Sequence, residues 1–154
     1  MIELRAPNSR DIECFYEIFS DESHHFIIDQ GKRDLEQSRE KLRKLIEING
    51  ISKRVYTVSA GGEAVGFVVI HLDGSDCPFI SYAIRRSHWR RGFAGAAIAR
   101  LVDIEHSRLA GFHAATHLDN HASQELLLKC DFEKVGVMQH QMGERVLFKF
   151  RFAE

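Results

Sequence analysis

Apolar residues recur at two different spacings along this chain, and the changes of spacing mark out its elements. Ile12, Phe15, Tyr16 and Phe19 stand at i, i+3, i+4 and i+7 behind Asn8, Ser9 and Asp11, residue types that cap helices. That spacing predicts a first helix. Asp34 followed by Gln37 has the form of a capping box, and Leu35, Leu42, Leu45 and Ile46 keep helical spacing until Asn49-Gly50 supplies a stop. A short strand at residues 2–4 precedes both helices.

The period then falls to two. Residues 55–59 and 64–72 are β-rich and are joined across Ala60-Gly61-Gly62-Glu63, a hairpin signal. Asp73-Gly74-Ser75-Asp76 makes a second turn into a strand at residues 79–84. Helical spacing returns over residues 92–109, with Phe93, Ala97, Leu101 and Ile104 on one stripe. A strand at 114–118 follows, and Asn120 caps a helix carrying Ser123, Leu126, Leu127 and Cys130 at i, i+3, i+4 and i+7. The chain ends in a strand at 132–142, a turn at Gly143-Glu144 and a strand at 146–152. There Phe148, Phe150 and Phe152 alternate with Lys149 and Arg151, and the Phe stripe is expected to pack as core. The order β α α β β β α β α β β predicts an α/β fold with a sheet of mixed strand direction.

Composition narrows the partners. The 154 residues carry no Pro/Gly/Ser-rich linker and no repeat, so one domain over residues 1–154 is expected, and 44% apolar residues with 11 Phe exclude a disordered chain. Lys and Arg number 21 against 22 Asp and Glu, which lacks the footprint of a dedicated nucleic-acid or membrane-surface binder. Cys14, Cys77 and Cys130 form neither a disulfide framework nor a CxxC pair; reduced thiols in the cytoplasm are expected. Glu3 and Arg5 interrupt the N-terminus where a signal peptide would be apolar, and no apolar run approaches the ~18 residues that span a bilayer.

The chemically informative stretch is Ile84-Arg85-Arg86-Ser87-His88-Trp89-Arg90-Arg91-Gly92-Phe93-Ala94-Gly95. A strand running into small residues that open a helix exposes unpaired N–H groups at the positive end of the helix dipole, an anion site. Gly92, Ala94 and Gly95 admit a diphosphate close to the main chain, while Arg90 and Arg91 add positive charge. Each N–H given to an ionised oxygen contributes about 1.5–3 kcal/mol. Close helix-to-sheet packing is the alternative reading of Gly92 and Gly95. No P-loop string is present, and a dinucleotide fingerprint fails because its second glycine is missing and Phe112 stands where an acid is required. Nine histidines include no HExxH pair, and His117 and His121 span a strand-to-helix junction, so no metal is expected.

The string Tyr82-Ala83-Ile84 with Trp89-Arg90-Arg91-Gly92-Phe93-Ala94 resembles the acetyl-CoA pyrophosphate loop of the GNAT N-acetyltransferase superfamily, whose pattern is Gln/Arg-x-x-Gly-x-Gly/Ala. Trp at the first place is similar to the branch of ribosomal-protein N-terminal acetyltransferases (RimJ/RimL-like). Asn120, Ser123, Leu127, Lys129, Asp131 and Phe132 resemble a second motif of that branch. The resemblance implies a mixed, mostly antiparallel sheet with helices on both faces and with strands four and five splayed into a thioester slot. It implies acetyl-CoA as cosubstrate, the amides of Arg90, Arg91, Gly92, Phe93, Ala94 and Gly95 as the pyrophosphate cradle, and the main chain from Tyr82 through Ile84 to Arg86 as the pantetheine edge. Asn120 would orient the pantetheine and Ser123 would give a proton to the departing thiolate; a plain N-cap and a helix residue bonding its own backbone are the alternatives. The sequence departs from the family at Arg86, where Pro is usual, and at Asp131, where Gly is usual. Arg86 adds a charge near the 3′-phosphate, and Asp tolerates a left-handed turn.

Acetyl transfer to an amine needs a neutral amine, a donor for the tetrahedral oxyanion and a proton for sulfur. A backbone N–H near Ile84 is the expected oxyanion donor. Deprotonating an α-amine of pKa ~8 at pH 7 costs about 1.4 kcal/mol, against about 4.6 for a lysine. Residues 79–84 hold no carboxylate, which favours a protein or peptide N-terminal α-amine as acceptor. Candidate bases are Glu22, His24, His25, His71, Asp73 and Asp119, each also readable as a solvated loop residue. Lys41, Arg43 and Lys44 among Glu40 and Glu47 read as a solvated helix face. Competing readings are a small-molecule amine acetyltransferase, a silent acyl-CoA-binding module, and a nucleic-acid binder using Arg85, Arg86, Arg90 and Arg91. A monomer or homodimer without nucleic-acid or membrane partners is expected.

Overall fold

The structure is a computed structural model that describes residues 1–21, 33–140 and 143–153. Strand β1 (Ile2–Arg5) leads to helices α1 (Ile12–Ser20) and α2 (Leu35–Ile48), then to strands β2 (Lys53–Ala60), β3 (Glu63–His71) and β4 (Ile80–Ile84). Helix α3 (Phe93–Glu105), strand β5 (Gly111–His117), helix α4 (His121–Lys129) and strands β6 (Glu133–His140) and β7 (Gly143–Arg151) complete the order. This is the mixed α/β architecture that the spacing predicts. The sheet is divided: an antiparallel set β1-β2-β3-β4 and an antiparallel set β5-β7-β6.

Alternation along β3 and β4 sends side chains to two cores. On one face Val68, Ile70, Ile80 and Ile84 pack with Ala97, Ile98 and Leu101 of α3 and Leu127 of α4. On the other, Phe67, Val69 and Ala83 pack with Cys14, Phe15 and Ile18 of α1 and Leu42 and Leu45 of α2. Each such aliphatic or aromatic side chain stabilises the fold by roughly 1.5–3 kcal/mol relative to exposure. Helices therefore cover both faces of the first set. In the C-terminal Phe stripe Phe148 is fully buried, while Phe150 and Phe152 pack edge to face at its margin.

Caps fix where helices start. Asp34 Oδ1 accepts the Gln37 N–H at 2.7 Å while Gln37 Oε1 accepts the Asp34 N–H at 2.9 Å, the reciprocal box that the sequence suggests. Two ion pairs lock the layers together. Arg5 and the Thr57 hydroxyl both donate to Asp11, and Arg54 makes a two-pronged pair with the fully buried Glu105, at 2.7 and 2.8 Å, joined by the Tyr56 hydroxyl at 3.0 Å.

Some boundaries differ from the periodicity. Gly143 and Glu144 are not a turn but ladder residues of β7, opposite His140 and Gln139. Helix α3 stops at Glu105 rather than 109, and β5 begins at Gly111, three residues before its expected start. Leu35 and Ile46 keep helical spacing yet remain about two-fifths exposed, because they sit at the edge of the α2 stripe. No described helix is long and apolar enough to cross a membrane.

Candidate active site

Strands β4 and β5 run side by side but part almost at once. The bridge between them is the single parallel contact Phe79↔His113, supported by the His113 N–H donating to Pro78 O at 2.9 Å and by stacking of the two rings at 5.2 Å. Beyond it the strands belong to separate sheets. Main-chain alternation decides what lines the gap. His71 N–H donates to Phe79 O and Arg85 N–H to Val65 O, at 2.9 and 2.8 Å, so odd-numbered residues of β4 bond to β3. Ile80, Tyr82 and Ile84 then turn their main-chain groups toward β5. The Ile84 carbonyl accepts the Trp89 indole N–H at 2.6 Å, so that oxygen is engaged within the loop and fixes the ring.

Helix α3 opens beside this gap without a side-chain cap. Its N-cap is Gly92 at φ +76°, and Arg90 two residues earlier also lies in the left-handed region at φ +64°. Among the described residues the N–H groups of Phe93, Ala94 and Gly95 donate to no acceptor. Left-handed residues at this spacing are of the kind that gathers amides into an anion-binding nest. Gly92 is not held by packing, since a Cβ there meets nothing within 4 Å. Gly95 differs: a Cβ would lie 3.5 Å from Leu126 Cδ1, the close approach of α3 to α4. Arg86, Arg90 and Arg91 are exposed around this opening, whereas Arg85 is half-buried and engaged in pairs with Glu17 at 2.9 Å and Glu13 at 3.7 Å. That leaves Arg85 unavailable to a nucleic-acid backbone.

Across the gap stand Asn120 and Ser123. Asn120 Oδ1 accepts the Ser123 N–H at 3.3 Å, which makes Asn120 the N-cap of α4; its Nδ2 makes no hydrogen bond among the described residues. The Ser123 hydroxyl is not turned back on its own helix. It lies 2.6 Å from the Tyr82 hydroxyl. Burial pushes the Tyr82 phenol up to about 12, with the Ser123 contact acting the other way, so the ring stays protonated at neutral pH. Sequence reasoning valued Tyr82 for its main chain and missed this side-chain bond. It also missed Thr116, on the same face of β5 as Phe112 and Ala114, whose buried Oγ1 has no hydrogen-bond partner among the described residues.

The candidate bases separate clearly. Glu22, His24 and His25 lie outside the described residues. Asp73 is exposed and caps a turn through the Ser75 N–H at 2.9 Å, and Asp119 is exposed beside His117. His71 is half-buried, with Nε2 2.9 Å from Ser81 Oγ on β4. Burial, aided by Lys53 and Lys41 and opposed by Asp73, holds its imidazole below the ordinary value. Among the described residues no three His, Cys, Asp or Glu side chains gather as a metal site.

Residues 2–133 match the family model described as the acetyltransferase (GNAT) domain. The chain belongs to the GNAT acetyltransferase family. This GNAT domain is 42% identical over 65 residues to the uncharacterized N-acetyltransferase YoaA of Bacillus subtilis (strain 168), a match that spans 41% of the chain and 37% of that relative. Its fold is shared with the microcin C7 self-immunity acetyltransferase MccE solved with acetyl-CoA and AMP, at TM-score 0.84, 17% identity and coverage of 98% and 92% of the two chains. The ribosomal L7/L12 α-N-protein acetyltransferase RimL in complex with coenzyme A gives TM-score 0.84 at 15% identity, covering 97% and 93%. At such identity the two structures establish a common fold alone; the parting of the fourth and fifth strands is read from the division of this chain's own sheet.

Proposed function

We propose that this GNAT domain is an acetyl-CoA-dependent N-acetyltransferase whose favoured acceptor is a protein or peptide N-terminal α-amine, as in the RimJ/RimL-like branch. The observation that carries the reading is the uncapped start of α3, with its free amides, opening beside the gap between β4 and β5. The residues present fit a diphosphate-bearing thioester. Three amide donors and the open space at Gly92 suit a pyrophosphate, Arg86, Arg90 and Arg91 suit its charge and a 3′-phosphate, and the orphaned Thr116 hydroxyl suits a polar arm in the slot.

When bound, acetyl-CoA supplies the activated acetyl group. The chain supplies the rest. The main chain of Tyr82 and Ile84, turned to the gap edge, pairs with the extended arm and offers an N–H where the tetrahedral oxyanion develops. Asn120 keeps its cap with Oδ1 and presents Nδ2 to the arm. Ser123 donates to the departing sulfur, and Tyr82, itself protonated, donates to Ser123 and so frees the serine proton for that task.

The acceptor preference rests on acidity. Strand β4 holds no carboxylate, so the amine must lose its proton without a strong base, and an α-amine needs about 3 kcal/mol less than a lysine. Small-molecule amines remain the competing acceptors, since solved structures of the same fold include an aminoglycoside acetyltransferase at TM-score 0.83 as well as RimL at 0.84. A free-thiol assay with acetyl-CoA against N-terminal peptides, polyamines, aminoglycosides and amino acids tests the reading. Thiol release fastest with N-terminal peptides is expected. Release only with small amines transfers the assignment to them, and coenzyme binding with no release by any amine marks a silent module.

A further inference from the structure

The two polar side chains of β4 stand next to each other in sequence and point to opposite faces of the sheet. Tyr82 meets Ser123 on the side of α3 and α4; Ser81, paired in register with Val69, faces the side covered by α1 and α2 and meets His71. If the thioester enters from the α3 side, as the proposed function requires, the amine must approach from the other. We propose that His71, acting through the Ser81 hydroxyl, takes the proton that the amine nitrogen loses. This rests on the acetyltransferase reading and goes beyond it by naming the base.

The geometry suits a two-atom relay. Ser81 Oγ is 2.9 Å from His71 Nε2, and with the imidazole proton on Nδ1 the ring accepts from the serine while the serine oxygen accepts from the amine. As the C–N bond forms, the nitrogen gives its proton to Ser81 Oγ and the serine proton passes to Nε2. As the C–S bond breaks, sulfur leaves as a thiolate held by Ser123. The imidazolium returns its proton to water, and the thiolate gains one on release. No further reactant is consumed.

The surroundings favour a neutral ring. Lys53 on β2, directly across the ladder from His71, and Lys41 on α2 disfavour the imidazolium; Asp73 in the following turn opposes them. His71 is thus ready to accept a proton at neutral pH, and the capacity is lost as pH falls through its depressed value.

The test is the pH dependence of kcat at saturating acetyl-CoA and saturating best amine of the panel in the free-thiol assay, because kcat/KM would add the free amine's own ionisation at about 8 or above. Wild type is expected to lose activity on an acid limb below pH 6.5. His71→Gln and Ser81→Ala are each expected to reduce kcat about 100-fold with coenzyme A affinity unchanged, and the double variant to be no worse than either. Lys53→Gln removes a charge outside the relay and is expected to move the limb to higher pH. If His71→Gln does not fold, Ser81→Ala and Lys53→Gln carry the test. Near-wild-type rates in Ser81→Ala, or an acid limb unmoved by Lys53→Gln, overturn the assignment while leaving the acetyltransferase reading intact. Failure of wild type to release thiol with any amine overturns both.

Discussion

The Tyr82 hydroxyl lies 2.6 Å from the Ser123 hydroxyl, joining a strand to the first turn of a helix 41 residues away. The contact matters because a serine in a first helical turn ordinarily bonds its own backbone. Here the phenol, pushed up to about 12 by burial, stays protonated, and the serine hydroxyl is held by it rather than by the helix backbone. Tyr82→Phe is expected to lower kcat by about tenfold, the loss of one positioned hydrogen bond near 1.4 kcal/mol, with KM for acetyl-CoA little changed. Steady-state kinetics on the best amine check this.

Arg90 occupies the left-handed region without being a glycine. Holding an L-residue there costs roughly 1–2 kcal/mol, partly offset by the backbone entropy that glycine loses on folding. Arg90→Gly is therefore expected to raise the melting temperature by about 2–4 °C, while the lost positive charge weakens coenzyme A binding. Calorimetric unfolding and a binding titration separate the two effects.

Glu105 is fully buried and held by Arg54 and Tyr56. Removing its charge leaves a guanidinium without its counter-ion. Glu105→Gln is expected to destabilise the domain by about 3–5 kcal/mol, measured by denaturant unfolding.

Burial raises the Asp11 carboxyl, but hydrogen bonds from Arg5, the Asn8 N–H and the Thr57 hydroxyl outweigh it and hold the group below its ordinary 3.8. The folded state then binds a proton less readily than the unfolded state. The stabilisation is fully present above pH 3.8 and is lost as pH falls through the depressed folded value. Unfolding measured from pH 6 down to pH 2 should show that loss, and Asp11→Asn should flatten it.

Local chemistry was the most legible part of the sequence. The Asp34–Gln37 box, the Asn120 cap and the turn between β2 and β3 depend on residues within a few positions of each other, and each stands where the pattern predicts. The left-handed Asp131 at φ +68° is also a local property. What could not be read is set by register across strands. Ser81 meets His71 only because β3 and β4 pair with Val69 opposite Ser81, and Tyr82 meets Ser123 only because α4 packs over β4. Division of the sheet after a single Phe79–His113 bridge likewise leaves no periodic trace, since side-chain alternation along a strand does not record what pairs with its edge.

The central claim is that a coenzyme A diphosphate docks on the amides that open α3. An amide-resolved NMR titration with coenzyme A tests it most directly, run on wild type and on Gly92→Glu. Saturable shifts centred on residues 90–95 and on Tyr82, with affinity at least about tenfold weaker in Gly92→Glu, are the expected result. Shifts centred elsewhere, or an affinity unaltered by the added carboxylate, would contradict the account.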